Sequence, residues 1–104
     1  TVAAIRPDRA TFFHGVSRAV CAMPVSEAVL DWMWSIFMQA APGADESLAC
    51  LADLDQRDIL AALDAPLLAI VGSEDGFTPP GTGEYAAQIA KKGRVVRFEG
   101  CGHG

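Results

Sequence analysis

Asp75 and His103 are the two side chains whose types and settings suit proton-transfer chemistry. A carboxylate that holds the Nδ1–H of an imidazole fixes the tautomer and leaves Nε2 to take a proton from a nucleophile. Each of the two stands a few positions beyond an expected β-strand. Leu67-Leu68-Ala69-Ile70-Val71-Gly72 is a short unbroken apolar run after Ala65-Pro66, as in a strand buried on both faces of a parallel sheet. Arg94-Val95-Val96-Arg97-Phe98-Glu99 mixes β-branched and aromatic residues with charge and reads as a second strand. Between them Tyr85, Ile89 and several alanines predict a helix near 83–92, stopped by Lys91-Lys92-Gly93. Strand, helix and strand of this length make a right-handed βαβ unit with parallel strands. The carboxyl ends of both strands then share the sheet edge where open α/β sheets bind ligands. Taken singly, each residue has a plainer role. Asp75-Gly76 is a turn signal, and a histidine between glycines suits a mobile tail. Together they form an acid–histidine pair that lacks a nucleophile.

Four stretches carry a resemblance. Gly72-Ser73-Glu74-Asp75-Gly76-Phe77-Thr78-Pro79 resembles the acid-bearing loop of the α/β-hydrolase superfamily, and Glu99-Gly100-Cys101-Gly102-His103-Gly104 resembles its histidine loop. Asp55-Gln56-Arg57-Asp58-Ile59-Leu60, with Leu63 and Ala65-Pro66-Leu67-Leu68, is similar to the segment leading from the cap into the sheet. Val25-Ser26-Glu27 and Val29-Leu30-Asp31-Trp32 resemble the cap of the cofactor-free haloperoxidase and aryl-esterase branch. The resemblance implies a Ser-His-Asp mechanism in the chain order serine, acid, histidine, with Asp75 and His103 as catalytic residues. Glu74 is the rival acid, but the resemblance matches Asp75.

The chain departs from that pattern in having no G-x-S-x-G elbow. Gly15-Val16-Ser17-Arg18-Ala19 is the nearest imitation. Phe12, Phe13, Val16 and Val20 fall at helical spacing around it, so Ser17 belongs to the body of an amphipathic helix. His14-Gly15 lies in the same pattern and makes no oxyanion loop. The expectation is therefore a fragment, with serine and oxyanion hole ahead of Thr1 and with no activity of its own. Cys101, two residues from His103, is expected to pack in the turn, because catalytic Cys and His come from separate elements.

Composition narrows the partners. The 104 residues are 51% hydrophobic and 20% charged, an ordinary globular mix. A formal charge of −5 argues against nucleic acid or an anionic membrane surface. Cys21, Cys50 and Cys101 form no C-x-x-C pair, which favours a cytoplasmic setting. His14 and His103 lack further ligands at short spacing, so no metal is expected, and the resemblance implies no cofactor.

Residues 1–64 read as a helical cap segment, and 65–104 as the C-terminal βαβ portion of the hydrolase core. Helices are expected from Arg9 to Ala22, from Glu27 to Ala41 with a stop at Pro42-Gly43, and from Asp45 to Leu54. The second is apolar on most of its circumference, which predicts burial on more than one side. It is too short to span a membrane. Trp32, Trp34 and Phe37 on it are candidate walls of an acyl or aryl substrate pocket, because large rings make adaptable apolar surfaces. The fold class is thus α/β, and the function implied by the resemblance is carboxylic ester hydrolysis on a small ester or acyl substrate. The rivals are a non-catalytic ligand-binding or interaction module, and a perhydrolase or haloperoxidase, C–C hydrolase or dehalogenase of the same fold. Nothing in the pattern bears on oligomeric state.

Overall fold

The computed structural model describes residues 2–41 and 43–104, and its contacts divide the chain into two compact units. One comprises residues up to Ala19 with Pro24–Leu54; the other comprises Val20–Met23 and Asp55–Gly104.

The first unit is helical: α1 (Val2–Ile5), α2 (Arg9–Ala19), α3 (Glu27–Gln39) and α4 (Ala44–Cys50). Asp8 starts α2 by accepting the Thr11 N–H at 2.9 Å, and Ser26 caps α3 through Val29 N–H. Both bonds satisfy first-turn donors that the helix itself leaves unpaired. Arg9 stands in the first turn of α2, where a cation opposes the helix dipole. Asp45 answers it from the first turn of α4, meeting Arg9 Nε at 2.7 Å and its terminal nitrogen at 3.2 Å. The same guanidinium donates to the Ala40 carbonyl and lies 4.8 Å from the centroid of the Phe13 ring. Trp34 donates its indole N–H to the Ala10 carbonyl at 3.0 Å, tying α3 to α2.

Several expectations for this half are corrected. The Arg9 helix stops at Ala19, not Ala22, and the Asp45 helix spans Ala44–Cys50, giving way to a turn before Leu54. The Glu27 helix ends at Gln39; Pro42 of its expected stop lies outside the described residues. The short α1 had no sequence signal. Burial of α3 on more than one side does not hold: only Leu30 is buried, while Trp32 is 63% and Ile36 45% exposed. Helix α2 supplies a partner along one side of α3, and an all-round apolar sequence does not create a second.

The second unit holds the sheet. Helix α5 (Arg57–Ala62) precedes β1 (Leu67–Gly72), then α6 (Pro80–Ile89) and β2 (Gly93–Phe98) follow. The strands pair in parallel, with Leu67 opposite Gly93 and Gly72 opposite Phe98. Helix α6 crosses over between them and packs on both. It begins and ends about a turn earlier than expected. Pro80 fits the first helical turn, where a missing N–H costs nothing. The Lys91-Lys92 pair lies beyond the helix, in the turn into β2. Burial of β1 on both faces is also corrected. Val71 is buried on the side facing α6, whereas Leu68 and Ile70 are 57% and 66% exposed. A single crossover helix covers one face of two strands.

Candidate functional site

The parallel register sets the site. Because Gly72 and Phe98 end their strands opposite one another, the loops that follow leave the sheet side by side. Backbone bonds keep them together: Ser73 N–H donates to the Phe98 carbonyl and Glu74 N–H to the Cys101 carbonyl, both at 2.9 Å. Gly72 is required by this proximity. A Cβ there would lie 2.3 Å from the Gly102 carbonyl oxygen. Gly100 turns the chain out of β2 with φ of 71°, a conformation that side chains resist. At the tip, Gly104 N–H donates to the Val20 carbonyl at 2.8 Å.

The result is a contact between the two residues singled out by the sequence. Asp75 Oδ2 lies 2.9 Å from His103 Nδ1. The other oxygen, Oδ1, accepts the N–H groups of Phe77 at 2.8 Å and Thr78 at 2.9 Å. One oxygen of Asp75 thus shapes its own turn while the second meets the imidazole. The turn role and the pairing role belong to different atoms of one carboxylate. Burial pushes the Asp75 carboxyl up, but the Thr78 N–H, the His103 ring and the Phe77 N–H together outweigh it and hold it below the usual carboxylate value. The Asp75 side chain is 10% exposed and that of His103 45%. The acid is sheltered, and the ring keeps an open side. Phe77 lies over it, centroids 5.6 Å apart. Both residues line a cavity of about 410 Å³ whose apolar wall includes Ile70 and Phe98.

Other candidates fall elsewhere. Glu74 is exposed and enters the site only through its backbone. Ser17 is fully buried inside α2, its hydroxyl donating to the His14 carbonyl at 2.7 Å. Cys101 borders the cavity, its sulfur facing the Glu99 carbonyl at 3.7 Å. Of the three aromatic candidates, Trp34 and Phe37 turn toward α2, Phe37 with its centroid 6.1 Å from that of Phe13, while Trp32 is exposed. Among the described residues no three His, Cys, Asp or Glu side chains converge as a metal site requires, and no helix is long and apolar enough to cross a membrane. The sequence reading missed the hydroxyl of Ser73, which accepts the Gly100 N–H at 2.8 Å. It also missed the Val20 anchor. A short polar residue directly after a strand was the available signal for the first; the second has none, because Val20 is remote in sequence.

No protein-family model matches the chain. A pimeloyl-[acyl-carrier protein] methyl ester esterase of Neisseria meningitidis is 36% identical over 58 residues, covering 56% of this chain and 23% of that protein. A non-heme chloroperoxidase of Streptomyces lividans is 28% identical over 98% of this chain and 40% of its own length. Among solved structures, an esterase from Exiguobacterium antarcticum superposes with a TM-score of 0.91 at 25% identity, covering 99% of this chain and 39% of that one. By these likenesses the chain has the α/β-hydrolase fold. Within it, the likeness lies on the branch of haloperoxidases and esterases. The chain spans less than half the length of the relatives it matches.

Proposed function

We propose that this α/β-hydrolase chain serves carboxylic ester hydrolysis by a Ser-His-Asp mechanism, in which it supplies Asp75 and His103. The observation that carries the proposal is the 2.9 Å contact between Asp75 Oδ2 and His103 Nδ1 at the carboxyl edge of parallel strands. In this reading Asp75 stays ionised, as its depressed pKa favours, and holds the Nδ1–H tautomer. His103 Nε2 takes the proton of the attacking serine as the ester carbonyl becomes tetrahedral. It then returns that proton to the leaving alcohol, and repeats the cycle with water to release the acid. The serine and the oxyanion donors come from a segment ahead of Thr1. The absence of a G-x-S-x-G elbow and the partial coverage of the relatives support that placement. Residues 1–64 are then the helical cap segment and 65–104 the C-terminal βαβ portion of the core. Of the aromatic residues on α3, Trp32 is the one that offers exposed apolar surface to a substrate. No cofactor takes part.

A second reading has its own support, since the chloroperoxidase likeness runs over 98% of the chain. There the same pair would assist formation of a peracid from a carboxylic acid and hydrogen peroxide. The test uses the full-length protein that contains this chain. Hydrolysis of p-nitrophenyl acetate that is lost in His103→Ala supports the esterase. Halogenation that needs acetate and peroxide, with poor ester turnover, favours the peroxidative reaction. Binding of esters without turnover in either assay would sink both readings and leave a ligand-binding relative.

A further inference from the structure

We propose that Ser73 is a positioning residue whose hydroxyl latches the acid loop to the histidine loop and so sets the Asp75–His103 bond; this rests on the acid–histidine reading above. The parallel ladder between the strands ends at Gly72 and Phe98, and beyond it the two chains are free to diverge. Ser73 sits at that fork. Its N–H adds one more rung, to the Phe98 carbonyl, and its Oγ accepts the N–H of Gly100 at 2.8 Å. Gly100 is where the backbone turns out of the strand at positive φ, so its N–H is out of reach of a regular ladder partner. From the fork, two residues lead to Asp75 on one side and three to His103 on the other. Their side chains close the loop again at 2.9 Å. Midway between the closures lies the Glu74 N–H bond to the Cys101 carbonyl. The arrangement is a seven-residue ring with a side-chain bond at each end and a backbone rung across it.

A ring closed at both ends leaves few ways for His103 to drift from Asp75. Releasing the Ser73 end frees the turn at Gly100, and the imidazole sits only three residues from that turn. Ser73 touches neither reacting atoms nor His103, and its hydroxyl is occupied by Gly100. It acts through the loop and is not the missing nucleophile.

The latch is tested in the full-length protein that contains this chain by ¹H–¹⁵N NMR of the His103 imidazole, using Ser73→Thr and Ser73→Val. These two variants have the same shape and differ in the hydroxyl, so a steric cost of branching affects both. In the unmodified chain the ring is expected as the Nδ1–H tautomer, with a protected Nδ1 proton that Asp75→Asn abolishes. Ser73→Thr keeps that signature. Ser73→Val exchanges the Nδ1 proton about fivefold faster, the factor a net hydrogen bond of about 1 kcal/mol is worth, and mixes the tautomers. A Val variant with the protection and tautomer of the Thr variant overturns the latch while the pair stands. A ring proton indifferent to Asp75→Asn overturns the acid–histidine reading, and the latch with it.

Discussion

Asp75 and Asp45 are both acids with sheltered side chains that hold a base, and the two pairs differ in how the base is exposed. Asp75 meets His103 at 2.9 Å and Asp45 meets Arg9 at 2.7 Å. The acids are almost equally sheltered, at 10% and 11% side-chain exposure. The bases are not: His103 is 45% exposed and Arg9 18%. An imidazole can gain or lose a proton near neutrality, and an open side gives that proton somewhere to go. A guanidinium stays charged, and here it is also bonded to the Ala40 carbonyl and packed on Phe13. In the proposed mechanism the first pair passes a proton to a third group, while the second ties helices together. What separates the two contacts in the structure is which base is left accessible.

The comparison is broken most sharply by Asp75→Asn in the full-length protein. A neutral amide favours the wrong imidazole tautomer, and kcat is expected to fall about 10⁴-fold, as the same change does in a serine protease. The unfolding midpoint should barely move. Steady-state kinetics with Glu74→Gln as control would expose a mistaken assignment if that variant were the inactive one. Asp45→Asn should do the reverse. Removing one charge of a sheltered pair costs about 3–5 kcal/mol, read from denaturant unfolding, with activity per folded molecule retained. Should Asp45→Asn lower turnover as much as Asp75→Asn, the division between working and locking pairs would fail.

Smaller effects sharpen the contrast. Gly72→Ala places a methyl on the backbone of the histidine loop, and overpacking of this kind costs about 1–3 kcal/mol. Its diagnostic is loss of the His103–Asp75 bond at temperatures where the fold persists. Trp34→Phe keeps an aromatic ring but loses the bond to the Ala10 carbonyl, and should cost about 1 kcal/mol without touching catalysis. The smallest effect is on pH dependence. Folding lowers the Asp75 pKa, so the unfolded chain binds that proton more tightly. Its contribution to stability is present above the ordinary carboxylate range and is lost as pH falls through the depressed native value. Acid titration of the unfolding midpoint should show a shallower fall in Asp75→Asn.

Local pattern carried the parts of the molecule that depend on neighbours in sequence. The apolar run 67–72 is the first strand to the residue, and the second is displaced by one. A crossover helix between two such strands makes them parallel, and parallel ends bring the loops at 75 and 103 to one place. That inference needed only strand length, helix length and handedness. Ser17 was legible for the same reason, since helical spacing around it excludes a strained elbow.

Tertiary structure decided what no short window contains. Arg9 and Asp45 look like ordinary first-turn residues of separate helices until packing brings them together. Helix α2 ends at Ala19 although its pattern runs on, and the next residue, Val20, is buried with its carbonyl accepting the Gly104 N–H. The apolar circumference of α3 announced burial, but which side is covered depends on where partners lie, and Trp32 is left exposed. Sequence alone settled which residues face each other across the ends of β1 and β2, because a parallel ladder converts position into proximity. The contacts that hold those residues there, namely the Ser73 hydroxyl, the close approach at Gly72 and the Val20 carbonyl, come from chain segments that only the fold brings together.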